Sequence, residues 1–326
     1  MKTIAGITLC CVLASGVLAA EKPVEFVPAK ADAIVGDWQG DRGIVAQVVA
    51  SGDGQYQANL LKAFDAADKP LAVLKGTRSN DSVTLSGDGW SGVIAGAKFA
   101  GSEGEQRFDL KHVERSSPTI GAAPPPGAVV LFDGKSLDAW AKKAGKNWLT
   151  EDGPAQWKLV DGAVEVVPGT DCLITHQKFG DCRLHVEFRT LGKPTNSGVF
   201  LHTRYEVNIN ESYGQLEGSP CGGLDNCSSV KPAIRASLRP LAWQTLDIEF
   251  TAPRFGADGK SKSAPARASV SLNGVKLYAN QELDPPHGAA SRLGEAASGP
   301  LMLQEHGVPL QFRNVWIVPT VPAGSP

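Results

Sequence analysis

Histidine, carboxylate and guanidinium side chains recur at every second position along several stretches in the second half of the chain. Apolar and polar residues alternate over 183–189, and the pattern repeats over the eleven residues 199–209. Because alternate side chains of a strand point to opposite faces, each stretch predicts a strand with one apolar and one polar face. The polar positions are His185, Glu187, Arg189, His202, Arg204, Glu206 and Asn208, followed by Gln304 and His306 on a later strand.

If these strands are neighbours, their polar faces form one surface that could move protons. A carboxyl group beside an arginine or a histidine has a displaced pKa, which suits general acid–base catalysis. A solvated strand face is also commonly charged for solubility alone. From the alternation by itself, that plain interpretation is the stronger one.

Two short motifs favour a ligand site over a solvated face. Asn196-Ser197-Gly198 directly precedes the second polar strand, where small polar residues let a ligand approach the backbone. Tyr213-Gly214 follows the end of that strand and offers a stacking ring with a hydroxyl group. We therefore expect these motifs to contribute to binding a substrate.

A divalent cation is an alternative use of the same residues. His202, Glu206 and His306 could bind one, and the cation would polarise a substrate carbonyl group. The chain has no Cys-x-x-Cys or Cys–His spacing typical of a metal motif. We therefore predict no metal and no other cofactor, with a divalent cation kept as the alternative.

The scaffold that must position these residues is predicted to be all-β, in two domains. Short apolar runs between turn signals such as Asp53-Gly54 indicate a small β-rich domain over residues 21–115. Residues 116–127 contain three successive prolines, which predict a linker. Residues 128–320 carry the alternating strands without a long helical pattern, which is typical of an antiparallel β-sandwich.

The first twenty residues predict an exported protein. Lys2, a short apolar run and small residues before Ala19 and Ala20 form a signal peptide that is cleaved after one of these alanines. The run is too short for a membrane span. We expect the mature protein to be secreted or periplasmic, without a membrane span.

Export also bears on the cysteines that remain after cleavage. In an oxidising compartment an even number of cysteines favours disulfides over free thiols or a metal site. Three pairings are possible, including a local Cys221–Cys227 bond and a Cys172–Cys182 bond across a hairpin.

Charge excludes one broad class of partner. The 326 residues carry a formal net charge of -2, so the basic field that would engage nucleic-acid phosphates is missing. We predict that the protein does not bind nucleic acid.

Short motifs over residues 129–318 resemble the 3-keto-disaccharide hydrolase family, whose domain is a concanavalin-like jelly roll. Their order and spacing are more specific than any one of them. This sequence departs from the family at Asn208, where many members carry glutamine. The matching motifs are Leu131-Phe132-Asp133-Gly134, Trp140, His185-Val186-Glu187-Phe188-Arg189, Asn196-Ser197-Gly198-Val199-Phe200, Arg204-Tyr205-Glu206-Val207, Tyr213-Gly214, Trp243-Gln244-Thr245, Leu272-Asn273-Gly274-Val275, Leu303-Gln304-Glu305-His306-Gly307 and Phe312-Arg313-Asn314-Val315.

The resemblance implies an enzyme acting on an oxidised di- or oligosaccharide or another glycoside with a ketone at C3. The ketone acidifies the C2 proton, so a base can form an enolate, the C1 substituent can leave by β-elimination, and water can add. We expect Glu206 or Glu187 as base, Arg204 and Arg189 as enolate stabilisers, and His202 or His306 as proton donor. The residues predicted to bind substrate are His185, Arg189, Asn196, Ser197, Asn208, Tyr213, Gln304 and His306.

Other functions stay open at this point. Glu187 and Glu206 could perform an ordinary two-carboxylate glycoside hydrolysis. The domain could also bind carbohydrate without acting on it, as many jelly rolls do, or serve as a structural surface protein. The density of histidine, glutamate and arginine exceeds what a lectin needs, which favours catalysis.

Overall fold

The computed structural model of the protein describes residues 25–40, 42–67 and 69–320. The chain is almost entirely β, which confirms the predicted fold class. The predicted signal peptide lies outside the described residues. Among the residues that the structure does describe, no helix has the length and apolar character that crossing a membrane requires.

Residues 36–113 form a closed antiparallel barrel of eight strands, each paired with the next and the last paired with the first. Its hairpins turn at Asp53, Asn80 and Asp88, where φ is 49°, 54° and 50°. Aspartate and asparagine tolerate this left-handed conformation better than other side chains. A short strand, β1 (Val27–Pro28), precedes the barrel strands β2 (Gly36–Gln39), β3 (Val45–Gly52), β4 (Gln55–Leu61), β5 (Ala72–Ser79), β6 (Ser82–Gly87), β7 (Trp90–Ala95), β8 (Lys98–Glu103) and β9 (Gln106–Val113).

The barrel interior is a packed apolar core. Trp38 is fully buried and contacts Phe99 edge-to-face at 6.0 Å, and Phe99 contacts Phe108 in the same way at 5.0 Å. Trp90 closes the same cluster. An eight-stranded barrel is just wide enough for side chains to fill, which agrees with this packing.

The second half of the chain is a jelly-roll sandwich. Its strands are β10 (Val129–Phe132), β11 (Trp140–Ala144), β12 (Asn147–Pro154), β13 (Lys158–Val160), β14 (Ala163–Glu165), β15 (Leu173–Phe179), β16 (Cys182–Thr190), β17 (Gly192–Lys193), β18 (Asn196–Leu201), β19 (Tyr205–Asn210), β20 (Gln244–Thr251), β21 (Arg254–Phe255), β22 (Lys262–Ala264), β23 (Arg267–Leu272), β24 (Val275–Glu282), β25 (Gly299–Leu303) and β26 (Leu310–Pro319), with a 3-10 helix over Gly288–Leu293.

Two antiparallel sheets make the sandwich. The large sheet has the order β13-β14-β26-β16-β20-β23-β24, and β10 also pairs with β26. The small sheet has the order β12-β11-β15-β25-β18-β19. Two further two-stranded sheets pair β1 with β17 and β21 with β22.

The alternating apolar residues meet between the two sheets, as predicted. Leu184 and Val186 of β16 face the same core as Val199 of β18 and Val207 of β19. Burial of one such side chain contributes about 1.5–3 kcal/mol. This gain fixes which face of each strand turns inward.

The polar strands are not all neighbours, so the single polar surface expected for neighbouring strands does not form. β16 lies in the large sheet between β20 and β26, whereas β18 and β19 lie side by side in the small sheet. Since both sheets turn their apolar residues inward, their polar residues point outward on opposite sides of the sandwich.

The proline-rich segment crosses the outer face of the large sheet. The Ser117 and Thr245 hydroxyl groups lie 2.5 Å apart, and the backbone N–H of Gly121 donates to Oε1 of Glu187 at 2.5 Å. Residues 117–122 therefore cover the polar side chains at the centre of that face.

The barrel contacts the sandwich through the residues that follow β19. The hydroxyl of Tyr213 donates to Oδ1 of Asp37 at 3.0 Å, and Nδ2 of Asn59 donates to the Gly214 carbonyl at 2.8 Å. The barrel thus supports the loop that leaves the edge of the small sheet.

The cysteines differ from the prediction, because Cys172, Cys182, Cys221 and Cys227 are all buried free thiols in the structure. Cys172 lies in an apolar cluster on the outer face of the small sheet, whereas Cys182 belongs to the core between the sheets. Burial raises the pKa of the Cys172 thiol to about 11 and that of Cys182 to about 12, so both stay protonated.

Candidate functional site

The outer face of the small sheet carries the most reactive group among the predicted residues. β18 and β19 pair so that Phe200 lies opposite Glu206 and Gly198 opposite Asn208. These residues alternate with the buried Val199 and Val207, so they lie together on the outer face. Glu206 is the carboxylate at the centre of this group.

Glu206 has an elevated pKa. Burial, and after it the negative charge of Asp225, raises the pKa of this carboxyl to about 7. Among the described residues, none donates a hydrogen bond to its carboxylate. A carboxyl group in this state can take up or release a proton near neutral pH, as a general acid or base must.

Gly198 makes room for that carboxylate. A Cβ at this position would lie 2.8 Å from Oε1 of Glu206 and 3.1 Å from Cε2 of Phe200. The glycine therefore allows the carboxylate to lie against the sheet beside an aromatic ring.

Asn208 holds the second carboxylate. Its Nδ2 donates to Oδ2 of Asp225 at 2.9 Å, and the Ser219 hydroxyl donates to Oδ1 at 2.9 Å. The backbone of Asn208 also bonds Gly222 and Gly223, which fixes the loop along the edge of β19. Asn208 thus positions the charge that acts on Glu206.

An apolar and aromatic surface continues across the same face. Trp148 contacts Phe200 edge-to-face with ring centroids 5.7 Å apart. The guanidinium of Arg292 lies 4.9 Å from the Trp148 ring centroid, and the Lys143 ammonium lies 5.9 Å from it. A half-exposed indole can stack on a sugar ring while the exposed guanidinium of Arg292 contacts the sugar oxygens; the Lys143 ammonium is buried and paired with Asp171 at 2.7 Å.

Other predicted binding residues lie at the edge of this face. The exposed Asn196 donates from Nδ2 to Nδ1 of His306 at 3.2 Å, and Oε1 of Gln304 is buried without a partner among the described residues. Ser197 instead points inward, and its hydroxyl donates to the Gln304 carbonyl at 2.8 Å. Gln304 bonds through its backbone to Gly198, which lies opposite Asn208, and Asn196 lies opposite Asn210. Both thus lie at the β18–β19 pair that carries Asn208, whereas Ser197 has a structural bond.

Glu187, His185 and Arg189 lie on the opposite side of the sandwich, where the 117–122 segment covers Glu187 and His185. Burial alone would raise the pKa of Glu187, but hydrogen bonds from His185, Asn314 and Arg313 and from the Gly121 backbone hold it at about 2. A fully ionised, fully bonded carboxylate is a poor base. Glu187 and Glu206 also point away from each other across two sheets about 10 Å apart, so they cannot flank one glycosidic bond.

His185 belongs to the same buried network. Burial would lower its pKa, but hydrogen bonds to Asp247 and Glu187 outweigh that effect and raise the pKa to about 8. Its ring stacks on Trp316 with centroids 4.9 Å apart. Arg189 donates to Gln311 at 2.7 Å. These contacts attach neighbouring strands and the covering segment to one another.

His202 and Arg204 stabilise the turn between β18 and β19. Burial lowers the pKa of His202 to about 4, and its ring packs edge-to-face on the core residue Phe250 at 4.8 Å. Arg204 donates to the backbone carbonyls of His202 and Gly294. Both side chains are buried against protein, which disagrees with their predicted contact with substrate.

Tyr213 is buried against the barrel, with its hydroxyl bonded to Asp37. The prediction of a stacking ring at this position is therefore wrong. The tyrosine connects the two halves of the chain instead.

The metal alternative gains no support from the arrangement. Within the described ranges, no three His, Cys, Asp or Glu side chains are grouped as metal ligands. In particular, His202 points into the core, whereas Glu206 and His306 lie on the outer face.

Sequence reasoning missed Asp225 and Trp148. Asp225 lies in a loop that bends back onto β19, and no periodic pattern marks such a contact. Trp148 lies on the edge strand β12 among polar residues, and that unusual setting was the available signal.

Comparison with known proteins agrees with this architecture. Residues 127–318 match the family model described as the 3-keto-alpha-glucoside-1,2-lyase-like domain. A protein from Parabacteroides distasonis, provisionally named a glycosyl hydrolase, is 31% identical with a TM-score of 0.52, over 60% of this chain and 85% of that one. A second protein from that organism with the same provisional name is 18% identical with a TM-score of 0.42, over 60% of this chain and 95% of that one. None of the curated proteins matches this chain.

The match covers more than half of the chain and spans the sandwich from β10 to β26. The resemblance seen in the sequence motifs is thereby confirmed. The chain belongs to the family of 3-keto-alpha-glucoside-1,2-lyase-like domains.

Proposed function

We propose that the protein is an exported enzyme that cleaves 3-keto-glycosides by elimination across C1 and C2 of the oxidised sugar, with Glu206 as the base. The observation that carries this proposal is the Glu206 carboxyl, which lies on the outer face against Gly198 and the Phe200 ring with no hydrogen-bond donor among the described residues. Burial and the charge of Asp225 raise its pKa to about 7. Family membership supports the broader statement that the protein acts on glycosides.

The elimination requires removal of one proton and departure of one alkoxide. Glu206 takes the C2 proton, and the electron pair of that C–H bond enters the enolate of the C3 ketone. The enolate then expels the C1 oxygen, which leaves with a proton as an alcohol. The products are a 1,2-unsaturated 3-keto sugar and the free aglycone, and addition of water to the double bond would complete a net hydrolysis.

The remaining roles are assigned to groups on the same outer face. Arg292 supplies positive charge for the enolate, because its exposed guanidinium lies 4.9 Å from the Trp148 ring centroid on this face and bonds only to backbone carbonyls. His306 is the proton donor for the leaving alkoxide, since it is exposed and bonded to Asn196. Trp148, which packs on the buried Phe200, forms the platform for the sugar ring.

The leader over residues 1–20 supports a secreted or periplasmic location. The substrate must already carry the C3 ketone, so this reaction requires a separate enzyme that oxidises the sugar first.

We further propose that the barrel is a separate domain, with residues 116–127 connecting it to the sandwich.

Deuterium exchange tests the base directly. In D2O the protein should exchange the C2 proton of a 3-keto sugar that has no leaving group at C1, as measured by mass spectrometry. Glu206→Gln should lose exchange by about 10²–10⁴-fold. Glu249→Gln, at an exposed carboxylate on the opposite side of the sandwich, should retain it.

Release of aglycone from a 3-keto-glycoside and from its unoxidised counterpart then tests the substrate class. Cleavage that depends on the ketone supports the proposal. Equal cleavage of both substrates contradicts it, and binding without exchange or cleavage favours a carbohydrate-binding module instead.

A further inference from the structure

A groove at the far end of β19 lies outside the catalytic group described above. It has a volume of about 560 Å³ and is lined by residues of β1, of the turn between β17 and β18, and of the loop after β19. The lining groups used below are Val27, Lys193, Asn210, Gln215 and Ser219.

The groove continues the outer face that carries Glu206. Asn210 has the same strand parity as Glu206 and Asn208, so all three point to that face. Four residues of strand place Asn210 about 13 Å from Glu206, at about 3.3 Å per residue. This is the scale of a substrate with more than one sugar ring.

The polar groups of the groove are incompletely paired. Oδ1 of Asn210 is buried and has no hydrogen-bond partner in the described part of the chain, while its Nδ2 donates to the Ser219 carbonyl at 2.7 Å. The Lys193 ammonium forms no ion pair within the described ranges. The side chain of Gln215 donates from Nε2 to the Glu211 carbonyl, and its Oε1 accepts no hydrogen bond from the described residues. The buried acceptor of Asn210 costs free energy unless a ligand or water donates to it, and the exposed Lys193 offers a donor on the same groove.

This mixture of groups suits a neutral ligand rich in hydroxyl groups. Each sugar hydroxyl both donates and accepts, so it can satisfy an amide oxygen and an ammonium at once. The groove is lined by one lysine, Lys193, and by the acidic residues Glu25 and Glu211, so it does not favour a strongly charged ligand.

One wall of the groove comes from outside the family domain. β1 pairs with β17 in register, Val27 opposite Lys193, and it precedes residue 127, where the family match begins. Val27 is 64% exposed along this wall. The chain thus adds its own N-terminal strand to the surface beside the active site.

We propose that this groove is a distal subsite that binds the leaving-group sugar of a 3-keto-oligosaccharide, with Asn210 and Lys193 as hydrogen-bonding groups and β1 as a specificity wall. The inference rests on the proposed function, because it names the class of glycoside that the Glu206 site cleaves. The preferred substrates have at least one further sugar on the aglycone side.

Filling the groove tests the subsite. Val27→Trp places a large side chain on the wall, and Val230→Trp is the matched control at another exposed valine (48% exposed) away from the groove. The measurement is the ratio of kcat/KM for a 3-keto-trisaccharide to kcat/KM for the methyl 3-keto-glucoside. Val27→Trp should lower this ratio about tenfold through KM, as loss of uniform binding requires, while Val230→Trp should leave the ratio at the wild-type value.

An unchanged ratio in Val27→Trp would overturn the subsite. Equilibrium binding of the unoxidised trisaccharide separates this failure from failure of the proposed function, because binding needs no ketone chemistry. If the wild type cleaves no ketone substrate, weaker trisaccharide binding by Val27→Trp and by Lys193→Ala still supports the groove. Equal binding of the trisaccharide by wild type, Val27→Trp and Lys193→Ala would contradict a subsite in this groove.

Discussion

Gly198 lies directly against the carboxylate of Glu206, on the paired neighbouring strand. A methyl group at this position would displace either Oε1 of Glu206 or the Phe200 ring, since each lies within 3.1 Å of the Cβ position. The absence of one side chain therefore determines where the proposed base can lie.

Gly198→Ala should reduce turnover of a 3-keto-glycoside about tenfold to hundredfold, because a small displacement of a catalytic group has effects of that size. Circular dichroism and thermal melting verify that the variant folds. Gly180→Ala is the matched control, since its Cβ would meet only the Ala297 carbonyl at 3.5 Å. If both variants retain full activity, the position of the carboxylate against Gly198 is not important for catalysis.

The difference in folding stability between Glu206→Gln and wild type should grow in favour of the variant as pH rises. The folded-state pKa of Glu206 is raised to about 7, so the folded protein holds a proton that the unfolded chain releases near pH 4.5. Stability is therefore lost as pH rises from 4.5 through 7, and glutamine removes that loss. The variant should gain about 2 kcal/mol relative to wild type between pH 5 and pH 8.5 in denaturant titrations, allowing for partial solvent exposure. A constant difference across this range would mean that the Glu206 pKa is not raised.

Glu187→Gln should reduce stability more than it reduces turnover. Glu187 is 1% exposed, and its carboxylate accepts hydrogen bonds from Gly121, Arg313 and Asn314. The NH2 group of a glutamine at this position would face these donors without an acceptor. We expect a loss of about 3 kcal/mol at pH 7, as for other broken buried ion pairs. The loss should shrink towards pH 2, because the contribution of a lowered carboxyl pKa disappears as pH falls from 4.5 through about 2. If Glu187→Gln instead abolished C2 exchange while the fold remained intact, Glu187 would be the base.

Tyr213→Phe should loosen the contact between barrel and sandwich. The change removes the hydrogen bond to Asp37, at a cost of about 1–2 kcal/mol for a buried pair. Hydrogen exchange of the amides in 211–215 should become faster. Tyr56→Phe removes a comparable bond to Asp32 within the barrel alone and should leave those amides unchanged. Equal exchange in both variants would show that the barrel does not support this loop.

The strands and their inward faces could be predicted from the sequence, whereas the assignment of strands to sheets could not. Leu184, Val186, Val199 and Val207 all turned inward as the alternation requires. The same alternation is satisfied whether two strands share a sheet or lie in opposite sheets. For that reason Glu187 was grouped with Glu206, although the structure puts them on opposite sides.

The chemistry of the site depends on contacts that a pattern does not record. Asp225 reaches Asn208 through a loop, and only the folded chain brings its charge near Glu206. His202 occupies a polar position in the sequence, yet the turn at φ 55° directs its ring into the core. Local sequence pattern identifies polar residues, but burial and neighbouring charge determine which of them can react.

The pH dependence of kcat/KM on a 3-keto-glycoside, measured for wild type and for Asp225→Asn, tests the central claim most directly. A base with a pKa of about 7 predicts activity that rises through that pH in the wild type. Asp225→Asn should move the rising limb to lower pH, because it removes the negative charge that raises the Glu206 pKa. A rising limb at the same pH in both proteins, or activity that does not change through pH 7, would contradict the assignment of Glu206 as the base.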